Sequence, residues 1–147
     1  MARSILAVIF GIAIGALAVA FVQRVGHIIY PVPTGIDLKD PAQFAQLLQN
    51  VPVGAKIFVT ISWGTGATIA AIGALLVSKK WAPTAWIASS TLFAMAVMTM
   101  IEIPHPIWMV VSAPIVFFGP TFVLIKILRA SYTPPQNKAE SIFETDK

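Results

Sequence analysis

Long runs of apolar residues dominate the pattern along the chain. Four stretches contain no Asp, Glu, Lys or Arg, over residues 4–22, 57–78, 81–101 and 106–125. An α-helix of about 20 apolar residues crosses the roughly 30 Å of hydrocarbon in a bilayer. The pattern therefore predicts an all-α fold, a polytopic membrane bundle of four transmembrane helices over residues 1–130.

Two polar segments flank or separate these spans. The linker over residues 23–55 carries Phe44, Leu47 and Leu48 at i, i+3 and i+4, opposite glutamines. This spacing predicts a short amphipathic helix over 41–50, lying on the outer membrane surface or over the mouth of the bundle. Residues 131–147 are polar and include two consecutive prolines, so we expect a mobile cytoplasmic tail.

The composition of the chain excludes several classes of protein and of site. Only 11% of the residues are charged and 57% are hydrophobic, whereas a soluble domain has about 25% charged residues. The spans leave no room for a separate soluble domain of typical size. Cysteine is absent, which excludes disulfides, thiolate metal sites and a cysteine nucleophile. We expect the lipid bilayer as a partner, no nucleic acid and no cofactor.

The distribution of Lys and Arg predicts the orientation. An even number of spans places both termini on one side, together with the connection between spans two and three. Seven basic residues fall on that side and three on the other, and the side with more of them is normally cytoplasmic. The seven are Arg3, Lys79, Lys80, Lys126, Arg129, Lys138 and Lys147, and the three are Arg24, Lys39 and Lys56.

Small residues at helical spacing predict where the helices pack. Glycine lets another backbone approach closely, and the same spacing on a lipid-facing surface would mark a site for a partner helix. Leu75, in contrast, is expected to face lipid. In span four, Pro114 and the Gly119-Pro120 pair predict a kink. The candidate packing residues are Gly11, Gly15, Gly64, Gly66 and Gly73.

An external polar cluster is the main candidate for chemistry. It comprises Arg24, His27, Glu102 and His105, which all fall near the outer ends of spans. Two histidines and one carboxylate are a minimal metal-ligand set, and prolines flank His105, so we expect no metal. We favour interfacial histidines and a structural ion pair between Arg24 and Glu102.

Within the spans the polar side chains are limited to Ser and Thr. Ion-coupled transporters usually place ionisable side chains along their path, so the absence of charge in the spans counts against active transport. Serine and threonine hydroxyls are more typical of hydrogen bonds between helices.

The external residues also carry a resemblance. Residues 26–37 (GHIIYPVPTGID), the Asp40-Pro41 pair and residues 103–108 (IPHPIW) resemble a group of small uncharacterised bacterial four-helix membrane proteins. The similarity covers the four spans and excludes the tail. In that group an acidic residue often precedes the Gly-His pair, where this chain has Gln23 and Arg24. The resemblance implies a multi-pass protein of the inner (cytoplasmic) membrane and supplies no activity.

Three functions fit the sequence. The leading hypothesis is a non-enzymatic protein that acts through helix-helix association, as a homo-oligomer or as an accessory subunit of a membrane complex. The first alternative is a permeation protein for small molecules or ions, with a path among spans two, three and four. The second is a metal-dependent membrane enzyme that uses His27, Glu102 and His105.

Overall fold

The computed structural model describes residues 2–31, 40, 47 and 50–134. Within these ranges the chain forms four helices, each long and apolar enough to cross a membrane. The prediction of an all-α fold with four such helices is confirmed for the described part of the chain. The helices are α1 (Ala2–Ile29), α2 (Val53–Val77), α3 (Ala82–Glu102) and α4 (Ile107–Ile127).

Two predicted segments fall on other parts of the chain. The amphipathic helix expected over 41–50 lies outside the described residues except for Leu47 and Asn50, and residues 135–147 of the expected tail also lie outside them.

The first helix continues beyond residue 22, the predicted end of the first span. Helix α1 continues to Ile29, and the backbone N–H of Tyr30 still donates to the carbonyl of Gly26 at 2.8 Å. No proline occurs in the chain until Pro31, which has no N–H to donate. Arg24 and His27 therefore lie on the helix and not in a loop.

Helix α2 also begins earlier than the predicted residue 57. It starts at Val53, directly after Pro52, which precedes the helix with φ −57° and ψ 144°. The linker between α1 and α2 is consequently shorter than the predicted 23–55.

Helix α4 is continuous through both of its prolines. Pro114 and Pro120 lie inside the helix and do not end it. Proline is tolerated in membrane helices where neighbouring groups compensate for the missing hydrogen bond. Gly64 of α2 lies beside Val116, whose carbonyl would have accepted from residue 120.

Helix α2 is the centre of the bundle. It contacts α1, α3 and α4, and α3 contacts α1 and α4 as well. In the described structure α1 and α4 do not touch each other. In cross-section the helices therefore form a rhombus, with α2 and α3 on the short diagonal and α1 and α4 at the far corners.

Two apolar clusters fill the interior. The larger one centres on Trp63, Leu92, Met109 and Phe117. The smaller one lies near the α2–α3 turn and includes Leu75, which is fully buried. The expectation that Leu75 faces lipid is therefore wrong, because α3 folds back over this part of α2.

The chain after α4 is fastened to the α2–α3 turn. Ser131 donates its backbone N–H to the carbonyl of Lys80 at 2.8 Å, and the N–H of Ala82 donates to the carbonyl of Ser131 at 2.8 Å. The indole N–H of Trp81 donates to the backbone carbonyl of Tyr132 at 3.3 Å. Ser131 and Tyr132 thus belong to the folded unit, although the sequence placed them in the tail.

The bundle has two ends, which we call the histidine end and the lysine end. The histidine end comprises the end of α1, the start of α2 and the α3–α4 connection. The lysine end comprises the start of α1, the α2–α3 turn and residues 126–132.

Candidate functional site

All four residues of the predicted polar cluster lie at the histidine end, but the structure does not join them into one site. Arg24 and His27 are on the last turns of α1, and both are exposed. Glu102 is the last residue of α3 and is also exposed, whereas His105 is partly buried in the α3–α4 connection.

No ion pair links Arg24 to Glu102 in the described structure. The favoured pairing depended on Glu102 being partly desolvated at the rim of the bundle, and Glu102 is instead exposed. Across residues 2–31, 40, 47 and 50–134, no group of three or more His, Asp or Glu side chains is placed to share a metal ion. The cluster is therefore a set of separate side chains at one end of the bundle.

His105 is held by its own loop and by the core. Its Nδ1 lies 2.6 Å from the carbonyl oxygen of Ile103. Since a carbonyl can only accept, Nδ1 carries the proton in this bond. The imidazole also lies against Trp63, with ring centroids 5.9 Å apart. His105 thus closes the α3–α4 connection over the buried end of the aromatic core.

The aromatic core continues from Trp63 toward the lysine end. Trp63 stacks on Phe117 at 6.0 Å, and Phe117 meets Phe93 edge-on at 5.5 Å. Phe93 contacts Phe118 at 5.2 Å, and Phe118 contacts Trp86 at 6.0 Å. Aromatic side chains therefore fill the space where α2, α3 and α4 meet.

Sequence reasoning missed a polar contact between α1 and α2. Gln23 donates through Nε2 to the hydroxyl oxygen of Ser62 at 3.3 Å, and that hydroxyl donates to the carbonyl of Val59 at 2.6 Å. Ser62 is fully buried. The signal in the sequence was a glutamine directly after an apolar span. It indicates a contact between helices only when α1 is known to extend past Gln23.

A second hydroxyl contact joins α3 to α4. The hydroxyl oxygens of Ser89 and Thr121 are 2.6 Å apart, and both residues are fully buried. Thr121 also donates to the carbonyl of Phe117 at 3.2 Å. When Thr121 donates to that carbonyl, Ser89 is the donor in the pair.

The glycines of α1 and α2 allow the two helices to approach closely. A Cβ added to Gly15 would lie 2.8 Å from the carbonyl oxygen of Gly66, and one added to Gly66 would lie 3.0 Å from the carbonyl oxygen of Gly15. Gly11 is equally confined, because its Cβ would lie 2.7 Å from the carbonyl oxygen of Ala70. Gly73 packs against the Ile14 side chain.

Gly64 has a different neighbour. Its Cβ would lie 3.1 Å from a methyl group of Val116, so it faces α4 and not α1. The five candidate packing glycines therefore divide between two helix contacts.

Most hydroxyls along the helices bond to a carbonyl of the preceding turn, as is usual for Ser and Thr within a helix. Ser4, in the first turn of α1, and Ser90 are exceptions, because their hydroxyls have no hydrogen-bond partner in the described structure. Ser90 lies near the middle of α3 and is exposed. The bonded hydroxyls are those of Thr60, Thr65, Thr68, Thr91, Thr99 and Ser112.

Ser90 belongs to an outward-facing surface of small and flexible side chains. Ala94, one turn further along α3, is exposed, and so is Met98 after it. Ser90 and Ala94 have the spacing of two small residues separated by three others, which suits close helix packing. We call Ser90, Ala94 and Met98 the outer face of α3.

Comparison of the chain with models of known protein families, with curated proteins and with solved structures gave no match.

Proposed function

We propose that this protein is a non-enzymatic membrane protein that acts through helix-helix association, as a homo-oligomer or as an accessory subunit of a membrane complex. The observation that carries the proposal is the unbonded hydroxyl of Ser90 on the outer face of α3. We infer that this face contacts a helix of another chain.

Hydrocarbon offers no hydrogen-bond partner, so a hydroxyl in the middle of a span gains by meeting a second helix. Ala94 lies one turn away and leaves room for that helix to approach. The Gly11 and Gly15 pair has the same spacing, but it is already covered by α2 and is not available to a partner.

The two alternatives have less support. A permeation path among α2, α3 and α4 would pass through the space that Trp63, Phe93 and Phe117 occupy. A metal enzyme would need His27 and His105 to act together, but His27 is exposed on α1 and the Nδ1 of His105 bonds to Ile103.

The proposal includes the location of the protein in the inner (cytoplasmic) membrane of a bacterium, with both termini in the cytoplasm. The distribution of Lys and Arg supports this orientation. The resemblance to small bacterial four-helix membrane proteins supports the location. The short amphipathic helix over 41–50 then lies on the external side.

Energy transfer between labelled copies in liposomes tests association directly. Ala94→Leu places a larger side chain on the outer face of α3, whereas Ala20→Leu makes the same change on the exposed side of α1. We expect Ala94→Leu to weaken self-association about fivefold or more, because close approach is lost, and Ala20→Leu to leave it unchanged. Ser90→Ala should also weaken association, with Thr91→Ala as its control, because the Thr91 hydroxyl is bonded within its own helix.

A photo-crosslinking residue at position 94 in native membranes distinguishes the two forms of the proposal. Crosslinks between copies support a homo-oligomer, and crosslinks to a different membrane protein support an accessory subunit. Crosslinks to lipid alone, together with no energy transfer between copies, would refute association through α3.

A further inference from the structure

The lysine end of the bundle carries a concentrated positive charge. Five basic side chains lie there, and all five are exposed. Glu102, the acidic residue of the four described helices, lies at the opposite end. We call the five residues the basic knuckle: Arg3, Lys79, Lys80, Lys126 and Arg129.

Hydrogen bonds hold parts of the knuckle together. Arg3 donates from Nε to the carbonyl of Val77 at 2.6 Å, which places its guanidinium group at the end of α2 beside Lys79 and Lys80. The bond from Ser131 to the carbonyl of Lys80 brings the residues after α4 to the same turn. Arg129 therefore lies close to the α2–α3 turn, although about 50 residues separate them in sequence.

Aromatic side chains mark the depth of the knuckle in the bilayer. Trp81 directly follows Lys80, and Trp86 donates its indole N–H to the hydroxyl of Tyr132 at 3.3 Å. Tryptophan and tyrosine are enriched where lipid tails meet headgroups. We therefore expect the basic side chains beside them to reach the level of the lipid phosphates.

Three residues of the knuckle have an unusual backbone conformation. The non-glycine residues with a positive φ in the described structure are Lys79 at 58°, Lys80 at 63° and Arg129 at 49°. Helices usually end with glycine in this left-handed conformation, because a side chain there costs free energy. All three positions have a basic residue instead, and all three belong to the knuckle.

We propose that the basic knuckle binds the headgroup of an anionic phospholipid, through the phosphate diester, in the leaflet that meets the lysine end. Clusters of Lys and Arg at the membrane surface attract anionic lipids, and guanidinium and ammonium groups form charge-assisted hydrogen bonds with phosphate oxygens. This proposal does not depend on helix association through α3.

One variant separates the two possible roles of the knuckle. A structural role would lower the unfolding temperature, whereas a lipid-binding role would lower the affinity for the lipid. Lys79→Gly combined with Arg129→Gly removes two charges. It also places glycine at two positions with a left-handed backbone, where a side chain costs free energy. In neutral phosphatidylcholine nanodiscs, we expect this variant to unfold at the same temperature as the wild type or a higher one. Its affinity for phosphatidylglycerol, titrated by native mass spectrometry, should fall about tenfold or more.

Lys56→Gln is the control at the other end of the bundle, because Lys56 lies at the start of α2, at the histidine end. It should leave phosphatidylglycerol binding unchanged. Equal affinity in the wild type and the glycine variant would overturn the proposal, and so would an equal loss in Lys56→Gln. Competition by inorganic phosphate at millimolar concentration would show that a free anion, not a lipid, is the ligand.

A second variant keeps the proposal testable if the glycine variant does not fold. Lys79→Gln with Lys126→Gln removes two charges and keeps long side chains. The same loss of phosphatidylglycerol affinity is expected, and unchanged affinity would again overturn the proposal.

Discussion

At the residue scale, the glycines show that one added carbon atom can prevent the close packing of two helices. Gly15 faces α2 and α3 at once, since an added Cβ would lie 2.7 Å from Cβ of Ala70 and 2.8 Å from a methyl carbon of Leu92. Gly119 has open space, with no atom within 4 Å of an added Cβ. Both glycines lie within apolar helical segments, and only the atoms around them in the fold distinguish the two positions.

We predict opposite outcomes for Gly15→Ala and Gly119→Ala. Gly15→Ala should lower the free energy of unfolding by about 1–3 kcal/mol, because the helices must separate to admit the methyl group. Gly119→Ala should be neutral or stabilising by up to about 1 kcal/mol, since alanine favours the helix. Reversible unfolding in mixed detergent micelles measures both, and an equal effect of the two changes would contradict the packing of α1 on α2.

At the element scale, the α2–α3 turn and the residues after α4 form one unit. The turn includes two consecutive lysines with a left-handed backbone conformation. Thr84 donates its hydroxyl to the carbonyl of Trp81 at 2.7 Å. Ser131 adds two backbone hydrogen bonds from the other side. The end of α4 is therefore tied to the end of α2 as well as packed against it.

We predict that Ser131→Pro is much more harmful than Ser131→Ala. Proline removes the N–H that donates to Lys80, and losing such a bond costs about 1–3 kcal/mol when the acceptor is left without a partner. Alanine keeps both backbone bonds and should change the free energy of unfolding by less than about 0.5 kcal/mol. Thermal unfolding in detergent checks this, and equal midpoints for the two variants would show that the hydrogen bond from Ser131 to Lys80 contributes nothing to stability.

At the scale of the whole molecule, charge divides the bundle into two different ends. The basic knuckle lies at one end, and Arg24, Lys56 and Glu102 lie at the other. The uneven distribution of Lys and Arg is the physical basis for the proposed orientation, in which the lysine end faces the cytoplasm.

We predict that a reporter active only in the cytoplasm works when fused after Lys147 and fails when inserted between residues 36 and 50. A reporter that requires export should give the reverse pattern, which controls for expression. Cytoplasmic activity from the insertion at 36–50 would reverse the orientation and place both histidines inside the cell.

The candidate site was predictable in part. The sequence placed Arg24, His27, Glu102 and His105 near one end, because each lies close to the end of an apolar span. It did not predict that they stay apart, since that depends on how far α1 extends and which way each side chain faces. Ser90 did not stand out among the hydroxyls of the spans, because its difference lies only in a missing partner.

The sequence by itself determined that the described part of the chain has four helices long enough to cross a membrane, and roughly where each one lies. The length of each uncharged stretch is enough to predict its helix, because a span must cross the hydrocarbon without exposing charged side chains to it. Only the tertiary structure decided which face of each helix is inside. Lipid tails and the bundle interior are equally apolar, so a residue such as Leu75 carries no pattern that separates the two surroundings. The contact between Ser131 and Lys80 also required the fold, because no local signal links residues so far apart in sequence.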